Sequence, residues 1–496
     1  MLPALVAEQL RDIAREHHEA NPDGPPAARI AMQLGAIIPR VMFPGSWAAA
    51  ERHAGAEPLW TGRHRVYDES TLRHVAERLD REGASERVRQ AMWRSVTEAV
   101  HQCDAEVIGY TDMFDQALYT KKLAHAGPIG RLGNRVLGAT YFGLTTVALP
   151  QGPVLFMHLS WHKAASPLRD GLEDLFDDAS RHAWWTEHVW LHVIDRGANG
   201  DPVLSWMVPW DVPYLTIGRG SAPLRRHKRA TARNDLGLPF VVLPDPRVGG
   251  DVTDGPWVVI APADPTNADE VRGIRFRTNV DLSPSSLLSV NALYKSRWAA
   301  MENLIKSLQA RGFGLNRSRG TELTISRGTE GESKRLDARE AKQLARLQDI
   351  ASRPASASNI ERVIHAGHKL QALRAEQQRL ESDAPQKNSR VRGGLEWLGK
   401  CLHLLTHNAL ATALYASPDP SVRVMDVKTV YDLLLGHAAM TCVEDGRMTL
   451  WVRELDAADD KRRQRALVEA FNKLGLKCRG HLVAIHLHAE AAGKRS

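Results

Sequence analysis

The chain has 496 residues, too many for one compact core, and its length predicts two to four domains. Hydrophobic residues make up 43% and charged residues 25%, which excludes a largely disordered chain, and no apolar run approaches the roughly 18 residues needed to span a bilayer. The net charge of +7 is partly local: Arg225, Arg226, His227, Lys228, Arg229 and Arg233 form a run able to neutralise phosphates, or simply a solvated basic loop. Four single cysteines with no CxxC pair argue against a disulfide framework or zinc ribbon. The start, with Glu8, lacks a signal-peptide layout, so a cytoplasmic location is expected.

Residues 1–100 read as helical. Apolar residues recur at helical spacing over Ala7–His18, until Asn21-Pro22-Asp23-Gly24-Pro25-Pro26 halts them, and again over Ala27–Ile38. Asp68 is a good N-cap for a helix over 70–81, and a further helix runs to Val100 after Gly83-Ala84-Ser85. Short helices rich in Arg and His suit a DNA-binding region or any helical bundle, and no diagnostic helix-turn-helix spacing is present.

The texture changes at Glu106. Val107–Thr111 is a β-prone run ending at Asp112, and Gln116–Lys121 can form a second strand after a turn. Ala139–Ala148 and Pro153–Leu159 flank the turn Pro150-Gln151-Gly152, which predicts a hairpin. An acidic amphipathic helix follows over 168–183. Its Asp170, Glu173, Asp174, Asp177 and Asp178 fit a solvated face better than a metal site. Val189–Ile194 reads as a buried strand ending at Asp195, and Val203–Pro209 resumes the strand pattern. Strands, a helix and another strand indicate an α/β sheet covered by helices.

Residues 219–284 read as a β-rich insertion, with strands at Trp257–Ala261 and Ile274–Thr278. Residues 289–311 turn strongly helical. Beyond Gly312 a polar link leads to long charged helices over Ala338–Ser352 and Asn359–Ser382, then to a helix over Leu395–Tyr415. The tail combines a helix to Leu435, a hairpin at Asp445-Gly446, a helix over Ala458–Leu474 and a strand at Leu482–His486. The expected units are therefore 1–100 (helical), 101–218 with 285–315 (α/β), 219–284 (insertion), 316–415 (helical arm) and 416–496 (small α+β unit).

Asp112 and Asp195 share a setting, each closing a short apolar strand. Strand ends of an α/β sheet are where a rigid scaffold presents functional groups, although such acids also serve as turn formers. Glu302 lies on a helix with Trp298 and Lys306 at i, i+4 and i+8; a surface Glu302–Lys306 ion pair is the bland alternative. Met301, Leu304 and Ile305 favour packing of this helix on the sheet. Clustered carboxylates repel one another unless a cation intervenes. Mg²⁺ takes oxygen ligands, and two such ions about 3.5–4 Å apart can drive phosphodiester chemistry.

Three segments carry a family resemblance: Gly109-Tyr110-Thr111-Asp112, Val193-Ile194-Asp195-Arg196-Gly197, and Tyr294-Lys295-Ser296-Arg297-Trp298-Ala299-Ala300-Met301-Glu302-Asn303. They resemble the acidic motifs of the DDE transposases of bacterial insertion sequences, over roughly residues 100 to 315. The resemblance implies an RNase-H-like catalytic domain interrupted by a β-rich insertion, and Asp112, Asp195 and Glu302 as catalytic ligands of two Mg²⁺ or Mn²⁺ ions. It also implies that Tyr294, Arg297 and Lys306 contact transposon-end DNA. Glu302 lies one residue farther from Arg297 than in the commonest family pattern, and Lys306 lies closer to Glu302. Asp115 rivals Asp112 as the first aspartate; Asp112 is preferred because it directly ends the apolar strand.

The expected partner is double-stranded DNA, both terminal repeats and target, held by the N-terminal helices and by Arg225, Arg226, Lys228 and Arg229. A homodimer in the DNA complex, joined through the arms at 338–382, follows by analogy. A nuclease of the same fold and a non-catalytic DNA-binding relic are the competing readings. Gly394–Cys401 mimics a phosphate loop but lacks its Ser/Thr and a preceding strand, and His486 with His488 has no completing ligand cluster.

Overall fold

A computed structural model describes residues 2–42, 50–51, 57, 66–117, 130–132, 136–163, 168–195, 201–207, 211–223, 232–233, 239–245, 256–262, 272–280, 284–310, 313, 319–324, 327–352, 357–382, 386–391, 393–423, 425–435 and 439–488. Its centre is a ten-stranded mixed sheet, so the fold is α/β, as the alternation of elements predicts. In chain order the strands are β1 (Val107–Ala117), β2 (Gly130–Leu132), β3 (Val136–Ala148), β4 (Val154–Lys163), β5 (Val189–Ile194), β6 (Tyr214–Pro223), β7 (Ala232–Arg233), β8 (Pro239–Pro244), β9 (Trp257–Pro262) and β10 (Arg272–Thr278).

The spatial order runs β3-β1-β5-β6-β10-β9-β8-β7, with β4 and β2 both on the outer side of β3. β1, β3 and β4 are antiparallel neighbours, whereas β5 lies parallel to β1 and β6 parallel to β5. The strands of the insertion do not form a separate body. β10 pairs antiparallel with β6 and continues the same sheet through β9 and β8.

Several elements differ from expectation. β1 does not stop at Asp112 but runs unbroken to Ala117, because β3 pairs with it along its whole length from Ile108 to Ala117. The acidic segment is two helices, Leu168–Phe176 and Ala179–His188, restarted by Asp178, whose carboxylate accepts from the Ser180 and Arg181 amides. The strand expected over Val203–Pro209 is a helix where it is described: Asp201–Met207 buries Val203, Leu204 and Met207, with Pro202 in the first turn where its missing N–H costs nothing, and residues 208–209 lie outside the described residues. The Asp68 N-cap holds as read, accepting from the Thr71 amide at the start of the Glu69–Arg81 helix.

Two hydrophobic clusters grip the sheet from opposite faces. One unites Tyr110, Leu144 and Val193 with Leu10, Ile37, Leu72 and Met92 of the N-terminal helices, so residues 1–100 share their core with the sheet. The other unites Val107, Val147 and Ile194 with Leu172, Trp185 and the C-terminal residues Val422 and Phe471. The Gly393–Tyr415 helix feeds both, burying Leu398, Leu402 and Leu405 in the first and Leu410 and Leu414 in the second. Most of its positions from Glu396 to Leu414 are buried, polar ones such as Lys400, His403 and Asn408 included, so this helix is not part of an exposed arm. Its Asn408 also grips β4, accepting from the Phe156 amide at 2.8 Å and donating to the Phe156 carbonyl at 2.6 Å.

The arm helices, Arg327–Ala351 and Ala357–Ser382, pair with each other, with Arg374 reaching Glu340 at 2.8 Å. Two paired strands flank them in the chain, Arg319–Thr324 in the polar link and Gln386–Val391 after the second helix. The C-terminal unit is a four-stranded sheet carrying the Ala458–Lys473 helix, and its hairpin turns at Asp445 and Gly446, both with positive φ. Among the described residues no helix is long and apolar enough to cross a membrane.

Gly109 fixes how closely a helix approaches the strand that leads to Asp112. A Cβ there would stand 2.3 Å from the Trp185 ring, itself fully buried. Gly109→Ala is therefore expected to lower stability by about 1–3 kcal/mol through overpacking. Gly367→Ala, on an open position of the Ala357–Ser382 helix, should instead stabilise by up to about 1 kcal/mol. Urea denaturation of both variants checks the pair; equal effects would contradict the packing at Gly109.

Candidate active site

Strand alternation places Tyr110, Asp112 and Phe114 on one face of β1 and Thr111 on the other. β1 and β5 run parallel with Thr111 opposite Ile194, so Asp112 and Asp195 are the next pair in register. The Asp195 amide donates to the Thr111 carbonyl at 3.3 Å, and the Thr216 hydroxyl donates to the Asp195 carbonyl at 3.1 Å. Both aspartates thus issue from neighbouring strands that the sheet holds rigid.

Glu302 arrives from a helical segment across this face: Pro284–Arg297, a π-helical turn Trp298–Glu302, and Asn303–Ala310. Ala300 and Met301 are buried there, and the Thr146 hydroxyl contacts the Met301 sulfur at 3.1 Å. The Tyr110 hydroxyl and Ser296 are hydrogen-bonded at 2.8 Å, tying β1 to the same segment. The π turn explains the long Arg297–Glu302 spacing. Five residues of α-helix are about 1.4 turns, which would turn the two side chains apart. With the Asn303 amide bonded to the Trp298 carbonyl, an i→i+5 turn brings them to one side.

The three carboxylates converge on one guanidinium. Arg297 Nη1 donates to Asp112 Oδ2 at 2.7 Å, while Nη2 meets Glu302 Oε1 at 2.7 Å and Asp195 Oδ1 at 3.1 Å. Arg297 is expected as a DNA contact, but its side chain is only 5% exposed and faces inward. Burial alone would lower its pKa, but Asp112, Asp195 and Glu302 outweigh that and raise it, so it stays charged. Tyr294 stands beside it, with the guanidinium 5.5 Å from the ring centre; burial pushes the phenol up to about 12.

Lys306 does not join the group. Its ammonium lies over the exposed Trp298 ring, 5.3 Å from the centre, and Glu302 pairs with Arg297 instead. Trp298 and Lys306 meet on one face, whereas Glu302, at the end of the π turn, leaves it for Arg297. Asp115 continues β1 opposite Tyr141, three positions on. The preference for Asp112 therefore stands on its contact with Arg297, not on its ending the strand. Arg225, Arg226, Lys228 and Arg229 lie outside the described residues. Lys400 of the false phosphate loop lies within a helix and pairs with Glu396 at 3.0 Å.

Sequence reasoning missed the support beneath the site. His192 Nε2 bonds Thr111 Oγ1 at 2.7 Å, and Thr111 Oγ1 bonds Thr145 Oγ1 at 2.8 Å, all three fully buried. Burial pushes His192 down to about 3, so the ring is neutral and acts as a fixed hydrogen-bonding partner. The signal was a polar histidine inside the apolar run Val189–Ile194 and a threonine directly before Asp112.

Asp112 carries the clearest electrostatic signature. Burial, followed by the Asp195 charge, pushes its carboxyl up to about 7, against the pull of Arg297 and the Met113 amide; Glu302 adds a smaller push. Among the described residues no group of three His, Cys, Asp or Glu side chains stands in metal-holding geometry; the carboxylates close on Arg297. The donor set nevertheless fits a hard divalent cation: it is all oxygen, and three carboxylates face a single positive charge. No family model matches the chain, and no curated protein matches it.

The Asp112 shift has a definite sign. The folded state holds a proton that the unfolded chain releases near pH 4, so metal-free stability should fall as pH rises from about 4 to about 7 and level off above. At about 1.4 kcal/mol per unit, the loss amounts to a few kcal/mol. Asp112→Asn should flatten that slope relative to wild type in urea titrations run with chelator. Parallel pH profiles would contradict the burial of a charge at Asp112.

Proposed function

We propose that the chain is a DDE transposase of the bacterial insertion-sequence type, a polynucleotidyl transferase that cuts DNA at element ends and joins the freed 3′-hydroxyl to a target. The observation that carries this reading is the meeting of Asp112, Asp195 and Glu302 at one guanidinium, with Asp112 and Arg297 185 positions apart in the chain. The strand order supports it too. β4-β3-β1 antiparallel, followed by β5 and β6 parallel to β1, is compatible with the RNase-H-like sheet that the resemblance implies, and β8–β10 lie between the second aspartate and the glutamate, where that resemblance implies an insertion.

In this reading Asp112 and Asp195 are the fixed ligands, held by paired strands, and Glu302 is the adjustable one, carried on the π turn. Two Mg²⁺ or Mn²⁺ ions held by these carboxylates would activate the attacking hydroxyl and stabilise the leaving oxygen. Thr111, backed by His192 and Thr145, fixes the backbone from which Asp112 projects. Tyr294, beside the Arg297 guanidinium, and Lys306, at the exposed Trp298, would be DNA contacts; the basic run Arg225, Arg226, Lys228 and Arg229 would add salt-sensitive binding. The paired arm helices, with Ile364 exposed, are the proposed contact between two copies holding two DNA ends.

The test is cleavage of DNA bearing the native element ends by wild type and Asp195→Ala, with Mg²⁺ or Mn²⁺. Wild type should cut and join, and the variant should lose more than about 100-fold in rate, beyond the typical cost of outer-shell changes at a metal site, while still binding DNA. Cutting without joining would make it a nuclease. Binding by both proteins with no cutting by either would reduce it to a DNA-binding relic.

A further inference from the structure

The Arg297 guanidinium stands where a cation belongs. Its Nη1 and Nη2 take Asp112 Oδ2, Glu302 Oε1 and Asp195 Oδ1 at 2.7, 2.7 and 3.1 Å. A divalent ion seated among the same three carboxylates needs oxygens of this set, and two positive centres that close repel strongly in a buried setting. We infer that Arg297 is the resident counter-ion of the metal-free site, so that a divalent cation enters by displacing its guanidinium from the carboxylates.

Three observations make the side chain fit for that exchange. Its backbone borders a π turn, a rare form frequent at functional sites, and that turn brings Arg297 and Glu302 to one side. Its Nε is buried and makes no hydrogen bond to the carboxylates. The Tyr294 ring, already 5.5 Å from the guanidinium carbon, would keep hold of the side chain once the carboxylates are taken. A freed guanidinium presents a planar fork that matches a phosphodiester, so cation entry and DNA binding would favour one another.

This inference rests on the proposed metal-binding role of Asp112, Asp195 and Glu302, and a binding measurement separates the two. Mn²⁺ is titrated calorimetrically into the full-length, DNA-free protein: wild type, Asp195→Ala, Arg297→Gln, Arg297→Met and Arg297→Lys. Removing a unit charge beside the site should tighten Mn²⁺ binding at least about tenfold in the Gln and Met variants, while Lys, which keeps the charge, stays near wild type. The Met variant preserves apolar bulk where Gln destabilises the fold. Equal or weaker binding by both neutral variants, with wild type binding and Asp195→Ala not, overturns the counter-ion role and leaves the metal site standing. Binding by none of the proteins overturns both. A merely structural Arg297 would lower affinity on removal, never raise it.

Discussion

Three carboxylates brought together inside a protein cannot all stay ionised without a positive partner. That constraint organises the middle of this chain. Arg297 satisfies it for Asp112, Asp195 and Glu302 at once, with only 5% of its side chain exposed. The remaining strain shows in Asp112, whose carboxyl is pushed up to about 7 chiefly because burial deprives it of water and secondarily because Asp195 lies beside it. Three carboxylates facing one guanidinium leave negative charge in excess, which is the physical basis for proposing a cation-dependent centre.

The surrounding architecture serves to keep those groups together. Parallel pairing of β1 and β5 fixes the two aspartates in adjacent register, and the buried His192–Thr111–Thr145 bonds lock the strands from the opposite face. The helical segment bearing Arg297 and Glu302 is pinned by Tyr110–Ser296 on one side and by buried Met301 on the other. Behind the sheet, Trp185 packs against Gly109 at a distance no side chain would tolerate. The Gly393–Tyr415 helix joins both hydrophobic clusters, so the N-terminal helices, the sheet and the C-terminal unit are coupled through one buried element.

Much of this was legible in the residues. The strand at Val189–Ile194, the hairpin at Asp445-Gly446 and the Asp68 cap rest on local signals, periodicity, turn chemistry and capping, and each formed as read. Long-range effects were not legible. β1 runs past Asp112 because β3 pairs along its full length, a fact held in residues about 30 positions away. The Asp201–Met207 helix was misread because its apolar residues suit either period over so short a run, although Asp201-Pro202 was a helix-start signal. The site shows the same division. Asp112, Asp195 and Glu302 were picked out by motif, whereas the inward turn of Arg297 depends on a π turn that no sequence period announces.

Anomalous diffraction from crystals soaked in Mn²⁺ tests the central claim most directly. The account predicts an anomalous peak among the carboxylates of Asp112, Asp195 and Glu302, within about 2.5 Å of their oxygens, with the Arg297 guanidinium drawn away from Asp112 Oδ2. Strong peaks elsewhere, with the three carboxylates still closed on Arg297 at saturating Mn²⁺, would contradict it.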